Sequence, residues 1–371
     1  MAGKKLQHFK NIDALRFFAF LKVYLHHLPI ACSTWWLSQI KSGGGLGVLL
    51  FFVLSGFLIT WILTKEKLIH HKINALNFII RRILRIWPVY YLVLAFIFFT
   101  PYHILQHLGL VFGGYHPNAL YSISFMENYR MLQMDTLPGI SPLTVFWSLC
   151  IEEHFYIFWL LSFSLLPKKI LPYFLFSCFP LAIFFRWIEP SIWQNQNIFT
   201  NDLFTNLDLF AAGGLLGYYT AAKPDNINYF FNKTPNKAQW AYIAIVLLLV
   251  FFHANILPES AFGKLNILKN TVFAITFSGL IAVLISKNSV VSFSNNGVLS
   301  FLGELSYGMY VYHLIFILLA LKLCEEQNLN LNSFTTKILF IISTFSLTVL
   351  LSYLSKTFFE NNFLKLKKFF Q

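Results

Sequence analysis

The sequence predicts an all-α, polytopic integral membrane protein: a helix bundle of about ten transmembrane helices with both termini cytoplasmic. Of its 371 residues, 57% are hydrophobic and only 12% are charged, about half the charged fraction of an average soluble domain. Apolar runs of about 20 residues, the length that crosses a bilayer, recur along the chain. Lys and Arg collect in alternate connections, as expected for cytoplasmic loops. The net charge of +13 therefore indicates topology, and nucleic acid is not an expected partner because no long soluble basic segment could bind it.

Threading the chain so that Lys and Arg stay on one side gives the predicted spans. They are roughly 12–30, 45–64, 86–104, 144–166, 170–189, 203–221, 239–256, 268–286, 299–321 and 335–358. This places Lys65, Lys67, Arg81, Arg82 and Arg85 in cytoplasmic connections. We interpret residues 105–143 as an external excursion or a re-entrant segment, because an eleventh span would reverse every later loop. No connection is long enough for a second folded domain, so residues 1–371 are expected to form one membrane domain without a soluble C-terminal domain.

The four cysteines are scattered among apolar segments, at positions 32, 150, 178 and 324. No Cys-x-x-Cys spacing occurs, so the sequence does not support a zinc or redox site. We expect buried free thiols and no metal site.

The first predicted helix carries an arginine and a histidine eleven residues apart. Eleven residues make about three turns at 100° per residue, so Arg16 and His27 face the same way, roughly 16 Å apart. His26 lies about 80° away from Arg16 and belongs to another face. Because a charged side chain at the bilayer centre costs about 2.5–3.5 kcal/mol, this pair needs a partner or a function.

A basic segment precedes the third predicted span. Arg82 and Arg85 are three residues apart and share a helix face, whereas Arg81 points elsewhere. A guanidinium pair can bind phosphate through parallel hydrogen bonds. The alternative is a cytoplasmic anchor beside the interfacial Trp87.

Two adjacent carboxylates interrupt the apolar run of the fourth predicted span. Glu152 and Glu153 point about 100° apart, so we expect only one of them to serve a site. Tyr156 lies one turn from Glu152 on the same face. A general base or a substrate ligand is one interpretation, and a structural salt bridge with Arg16 or Arg186 is the other.

The ninth predicted span and the second carry smaller polar groups. Ser306, Tyr310 and His313 recur at helical spacing and form one polar stripe, which helix packing alone could explain. Ser55 lies mid-helix in the glycine-rich second span, where small residues let helices approach closely.

Five segments occur in a characteristic order: IDALRFFAFLKVYLHH (12–27), GVLLFFVLSGFLIT (47–60), RRILRIWPVYY (81–91), WSLCIEEHFY (147–156) and LSYGMYVYH (305–313). Together they resemble acyltransferase family 3, membrane-bound O-acyltransferases that modify bacterial surface glycans. They span nearly the whole chain. Periodicity and spacing indicate only buried polar groups, and the resemblance supplies a function for them.

The resemblance implies roles for the matching residues. His27 would be the catalytic residue, as acyl carrier or general base, with Arg16 in the same motif. Arg82 and Arg85 would contact the phosphates of acyl-CoA, most commonly acetyl-CoA, and Glu152 is the regular carboxylate of its motif. The remaining candidate residues for substrate binding or support of the site are Ser55, Trp147, Ser148, Tyr156, Ser306 and Tyr310.

The expected activity is transfer of an acyl group from cytoplasmic acyl-CoA to a hydroxyl of a surface glycan or a lipid-linked sugar, across the bacterial inner membrane. Glu152 would orient His27 or bind the acceptor. Two alternatives stay open from the residues alone. A proton-coupled secondary transporter also uses buried Arg, His and Glu, although no internal repeat is evident. A structural membrane protein would pair its buried polar groups only with each other.

Overall fold

The computed structural model describes residues 9–30, 34–111, 117–135, 141–194, 201–224, 233–257, 263–293 and 297–370. These residues are mostly helical, and no strand occurs among them. Seven helical stretches in these ranges are long and apolar enough to span a membrane: Trp35–His70, Ala75–Phe99, Leu171–Trp193, Asn236–Ile256, Leu265–Ile285, Val298–Glu326 and Phe334–Phe370. The chain is therefore an all-α, multi-pass membrane protein. The count of ten spans and the cytoplasmic termini stay predictions.

Ten long helices are described, and each overlaps one predicted range. They are α1 (Lys10–His27), α3 (Gly45–His70), α4 (Ala75–Phe99), α8 (Phe146–Leu165), α9 (Leu171–Trp193), α10 (Leu207–Ala222), α11 (Asn236–Ile256), α12 (Lys269–Ile285), α13 (Val298–Glu326) and α14 (Phe334–Leu354). The short helices are α2 (Trp35–Lys41), α5 (Tyr102–His107), α6 (Ala119–Ile123), α7 (Glu127–Met134) and α15 (Asn361–Lys365).

Three long helices lie outside the seven apolar stretches, and their sequences explain why. α1 holds four charged side chains among 18 residues, and α8 holds two adjacent glutamates. α10 has 16 residues, fewer than the roughly 20 that cross a bilayer. α1 and α8 are also two of the helices that bring charged side chains to the cavity described below.

The helix that contains the predicted third span begins a full three turns before residue 86. α4 begins at Ala75, where the side-chain oxygen of Asn74 accepts a hydrogen bond from the backbone N–H of Asn77 at 3.1 Å. This N-cap starts the helix before the basic residues. Arg81, Arg82 and Arg85 therefore lie within a helix and not in a connection.

The helix that contains the predicted second span also extends beyond it. α3 continues to His70, so Lys65 and Lys67 also lie within a helix. The Lys67 ammonium is buried and donates hydrogen bonds to the carbonyls of Phe163 and Leu166, at the end of α8. A lysine with a long apolar stem thus satisfies the last carbonyls of a neighbouring helix.

Glycine positions let the helices that carry the site approach closely. A Cβ on Gly213 of α10 would collide with the backbone carbonyl of Val53 in α3. A Cβ on Gly303 of α13 would likewise collide with the carbonyl of Asp13 in α1. Small residues permit this backbone contact where lipid offers no hydrophobic driving force. The contact between α1 and α13 brings their polar faces together.

Between α4 and α8, the described residues form only short helices, namely α5, α6, α7 and a 3-10 helix at Pro142–Val145. The Tyr90 hydroxyl donates to the carbonyl of Ser122 at 2.6 Å, and the Tyr91 hydroxyl donates to that of Ile123 at 2.9 Å. These bonds fasten α6 to α4. An excursion or re-entrant segment agrees with these short helices, while its side of the membrane stays a prediction, and residues 112–116 and 136–140 of this region lie outside the described residues.

The three described cysteines, Cys150, Cys178 and Cys324, are free and buried, as their scattered spacing predicts. Cys32 lies outside the described residues. Within the described ranges, no group of three His, Cys, Asp or Glu side chains could hold a metal ion.

Candidate active site

A cavity of about 370 Å³ lies between α1, α3, α4, α8 and α13. Nine of the polar residues singled out by the sequence line it: Arg16, Ser55, Arg82, Arg85, Ser148, Glu152, Tyr156, Ser306 and Tyr310. Five helices far apart in the sequence therefore contribute to one site. His27 and Trp147 are not part of this wall. Trp147 packs instead against Met131 and Leu132 of α7.

Three arginines make the cavity basic. Arg16 of α1 lies 3.5 Å from the carboxylate of Asp13, one turn earlier, and Asp13 also lines the cavity. Arg82 and Arg85 of α4 face the same space, as their spacing predicts. Their neighbour Arg81 does not line it. The cavity therefore presents one paired and two further guanidinium groups to a ligand.

Two buried N–H groups in the cavity wall have no hydrogen-bond partner among the described residues: Nε of Arg82 and Nε1 of Trp61. The Arg82 guanidinium lies over the rings of Phe78 and Tyr156, at 5.4 and 5.7 Å from their centroids. These ring contacts orient the guanidinium without satisfying its N–H groups. Since buried donors are ordinarily paired, both groups fit a ligand that carries acceptor oxygens.

The two adjacent glutamates have different surroundings. Oε1 of Glu152 accepts a hydrogen bond from the Ser55 hydroxyl at 2.6 Å and another from the Tyr156 hydroxyl. Glu153 turns away from the cavity, and its Oε2 accepts from the indole N–H of Trp87 at 3.2 Å. Only Glu152 faces the cavity, in agreement with the 100° rotation between neighbours.

Tyr310 and Ser148 form one end of the cavity. Their hydroxyl oxygens lie 2.6 Å apart, and both hydroxyls also reach the carbonyl of Val145, at 3.2 and 3.0 Å. Nearby, the Tyr307 hydroxyl donates to the carbonyl of Ile86 at 2.7 Å and holds α13 against α4. The polar stripe of α13 thus closes the cavity through fixed hydroxyl groups.

His27 lies at the last position of α1, beyond the Tyr310 end of the cavity. Its Nδ1 lies 3.0 Å from the carbonyl oxygen of Val23 and 3.2 Å from Nε2 of His313 in α13. His313 is fully buried, and its Nδ1 lies 2.7 Å from the carbonyl oxygen of Tyr310. A continuous set of contacts therefore runs from the cavity wall at Tyr310, through His313, to His27.

The family model of acyltransferase family 3, described as an acyltransferase domain, matches residues 9–356 and includes every residue of this site. The chain belongs to this family. Three curated relatives illustrate the similarity. The putative peptidoglycan O-acetyltransferase YrhL of Bacillus subtilis is 36% identical over 42% of this chain and 24% of its own length. A putative O-acetyltransferase of Staphylococcus aureus (strain COL) is 28% identical over 84% of this chain and 51% of its own length.

The third relative, the O-acetyltransferase OatA of Staphylococcus aureus, is 32% identical over 45% of this chain and 26% of its own length. The matched part of this chain thus spans about half, or less, of the length of these relatives. No solved structure matches the chain.

The salt bridge that the sequence suggested for Arg186 forms with a different partner. The guanidinium of Arg186 is buried against the carboxylate of Asp208 in α10, and not against a glutamate of α8. It also donates to the carbonyl of Thr205 at 2.7 Å and to the hydroxyl of Thr271 at 3.1 Å. This pair fastens α9 to α10 and α12, away from the cavity of the acyltransferase family 3 site.

Sequence reasoning missed three participants of the site. Asp13 and Trp61 line the cavity, although neither was among the predicted site residues. His313 was predicted only as part of a packing stripe, although it contacts His27. The sequence did contain one indication of a role for His313, because the polar stripe of α13 ends in an imidazole that lies deep in an apolar run.

Proposed function

We propose that this protein is a transmembrane O-acyltransferase. It moves an acyl group, most commonly acetyl, from cytoplasmic acyl-CoA to a hydroxyl of a surface carbohydrate on the external side. The observation that carries this proposal is the single cavity in which Arg16, Arg82, Arg85 and Glu152 meet, with His27 about 16 Å from Arg16 along α1. Family membership and the names of the relatives support the same reaction class.

The donor end of the reaction follows from the basic wall. Arg82 and Arg85 bind the phosphates of acyl-CoA, because guanidinium groups hold phosphate oxygens in pairs. The Nε–H of Arg82 and the indole N–H of Trp61, which have no partner among the described residues, supply further hydrogen bonds to the phosphates or to the amide oxygens of the pantetheine arm. The arm extends along the cavity while the nucleotide stays at the cytoplasmic face, because burying a whole charged nucleotide among apolar helices costs too much.

His27 then performs the chemistry by one of two routes. As general base, its imidazole takes the proton of the acceptor hydroxyl while that oxygen attacks the thioester carbon, and the C–S bond breaks to release CoA thiolate. As acyl carrier, its nitrogen attacks the thioester carbon, CoA leaves, and the acceptor hydroxyl then takes the acyl group from the imidazole. Incubation with radiolabelled acetyl-CoA in the absence of acceptor separates the routes, because only the carrier route leaves label on the protein.

The acceptor is a carbohydrate of the cell surface or a lipid-linked precursor of one. The Bacillus subtilis relative is named for peptidoglycan, which makes peptidoglycan a first acceptor to test. Glu152 is held in the cavity wall by two hydroxyl donors, so it is placed to bind a polar substrate group rather than to contact His27, whose contact in α13 is His313.

The decisive cellular experiment compares the surface glycan of a deletion strain with that of the parent by NMR. Loss of an O-acyl signal, restored by the wild-type gene and not by His27→Ala, is the expected result. O-acyl signals that stay unchanged in the deletion strain contradict the proposal.

A further inference from the structure

Two imidazoles meet where the end of α1 touches the middle of α13. Nδ1 of His27 and Nε2 of His313 lie 3.2 Å apart, and the ring centroids lie 5.1 Å apart. The two residues are 286 positions apart in the sequence. The close backbone contact between Gly303 and Asp13 fixes the same two helices against each other several turns away. The histidine contact is therefore set by the packing of two rigid helices.

The neighbours of these rings determine where the protons lie. Nδ1 of His313 lies 2.7 Å from the carbonyl oxygen of Tyr310. Because a carbonyl oxygen can only accept a hydrogen bond, Nδ1 of His313 must carry the hydrogen. In a neutral ring the other nitrogen, Nε2, is then an acceptor. Nδ1 of His27 faces two acceptors, this nitrogen and the carbonyl oxygen of Val23 at 3.0 Å. It must therefore be the donor to both, which leaves the lone pair of His27 on Nε2.

The geometry points to His313 as the positioning residue of His27. We propose that Nε2 of His313 accepts the Nδ1 hydrogen of His27, fixes the tautomer in which Nε2 of His27 holds the reactive lone pair, and holds the ring in one orientation. This inference rests on the proposed role of His27 in acyl transfer. His313 is neutral, so this arrangement differs from a histidine whose Nδ1 hydrogen is accepted by a carboxylate. In both arrangements, the acceptor at Nδ1 determines which nitrogen of the catalytic histidine carries the free lone pair.

A purely structural histidine would have simpler contacts. Buried polar atoms ordinarily have hydrogen-bond partners, and the carbonyl of Tyr310 provides one for Nδ1 of His313. Two aromatic rings also pack against His313, those of Phe20 and Tyr310, with centroids at 5.8 and 5.9 Å. Nε2 of His313 thus accepts the hydrogen bond from His27, and replacing His313 is expected to change the tautomer of His27.

Two substitutions of similar size separate the two nitrogens. Asparagine at this position places an amide near Nδ1 and can still bond to the carbonyl of Tyr310, but it does not reach His27. Glutamine reaches as far as Nε2 and can offer an amide oxygen to the Nδ1 hydrogen of His27. We expect His313→Asn to lower kcat by about 10- to 100-fold, the range found when the hydrogen-bond partner that orients a metal-bound histidine is removed. KM for acetyl-CoA stays unchanged, and His313→Gln restores much of kcat.

The state of His27 is also measurable without turnover. In ¹⁵N-histidine-labelled full-length protein in nanodiscs, the signals of His27 are assigned by their loss in His27→Gln. We expect hydrogen on Nδ1 of His27 in the wild type and in His313→Gln, and a partial shift to the other tautomer in His313→Asn. Hydrogen on Nε2 of wild-type His27 overturns the inference, whatever the variants do.

The kinetic outcomes are equally decisive. Equal kcat in wild type and His313→Asn overturns the inference, and so does an equal decrease in both variants with an unchanged His27 tautomer, because that pattern indicates a packing role. If His313→Asn does not fold, the wild-type spectrum and His313→Gln still decide. An active His27→Ala protein would refute the proposed function of His27 and leave the tautomer measurement as a separate result.

Discussion

Replacing Arg82 tests the donor end of the cavity most sharply. Its guanidinium faces the cavity, lies over two aromatic rings and has an Nε–H group without a partner among the described residues. If acyl-CoA phosphates or amide oxygens satisfy this side chain, Arg82→Ala removes at least one hydrogen bond that involves a charged group. Arg81 offers a matched control one residue away, because its side chain contacts the carbonyl of Phe370 at 2.6 Å and lies 3.7 Å from Glu66.

The magnitude follows from the hydrogen bonds to acyl-CoA that the substitution removes. A hydrogen bond that involves a charged group contributes about 1.5–3 kcal/mol, which corresponds to an increase in Kd of about 10- to 150-fold. Arg82→Lys keeps the charge but lacks the planar set of donors, so its Kd is expected to lie between those of wild type and Arg82→Ala. Arg81→Ala should bind acetyl-CoA like the wild type.

Isothermal titration of acetyl-CoA into the purified protein in detergent measures these constants directly. The reasoning is refuted if Arg81→Ala and Arg82→Ala weaken binding equally, or if Arg82→Ala leaves Kd unchanged. Equal weakening would indicate a general effect of positive charge on α4 rather than a phosphate contact by Arg82, and an unchanged Kd would mean that Arg82 only anchors the helix at the membrane surface.

Two further predictions concern the cavity wall and the helix contacts. Glu152→Gln should lower acyl transfer by about tenfold or more, because a neutral amide replaces the carboxylate that faces the cavity. Glu153→Gln should have little effect, because Glu153 turns away from the cavity. The assay measures release of CoA in the presence of acceptor, and equal decreases in the two variants would argue against a substrate role for Glu152. Gly213→Ala should destabilise the protein by about 1–3 kcal/mol, because the added Cβ would meet the carbonyl of Val53. Gly45→Ala should not destabilise it, because a Cβ on Gly45 would lie in open space. Thermal unfolding in detergent measures both variants, and an unchanged midpoint for Gly213→Ala would contradict the close helix contact.

Hydropathy predicted where the long helices lie, because a bilayer demands about 20 apolar residues whatever the tertiary structure. The same reasoning misplaced two helix ends at basic residues. It treated Lys67 and Arg82 as loop residues, whereas a long side chain lets its charge reach another helix or a cavity while the backbone stays helical. The charge of a residue is therefore a poor predictor of whether that residue lies in a loop or within a helix.

Helical geometry predicted that Arg82 and Arg85 share a face that Arg81 does not, and that only one of Glu152 and Glu153 faces a site, because rotation along one helix is fixed. The choice of Glu152 came from the family resemblance. Contacts between distant helices could not be predicted in this way. The pairing of Arg186 with Asp208, and that of His27 with His313, depend on how helices pack, and periodicity within one helix carries no information on that. These contacts required the structure.

The central claim is that His27 performs acyl transfer, and one reconstituted assay tests it most directly. Protein in liposomes is given labelled acetyl-CoA and a glycan acceptor, and the label on the glycan is measured for wild type, His27→Ala and His26→Ala. His26 is the matched control because it is adjacent to His27 on another face and exposed. We predict that His27→Ala lowers transfer by at least about 100-fold while His26→Ala remains active. Wild-type transfer by His27→Ala would contradict the account.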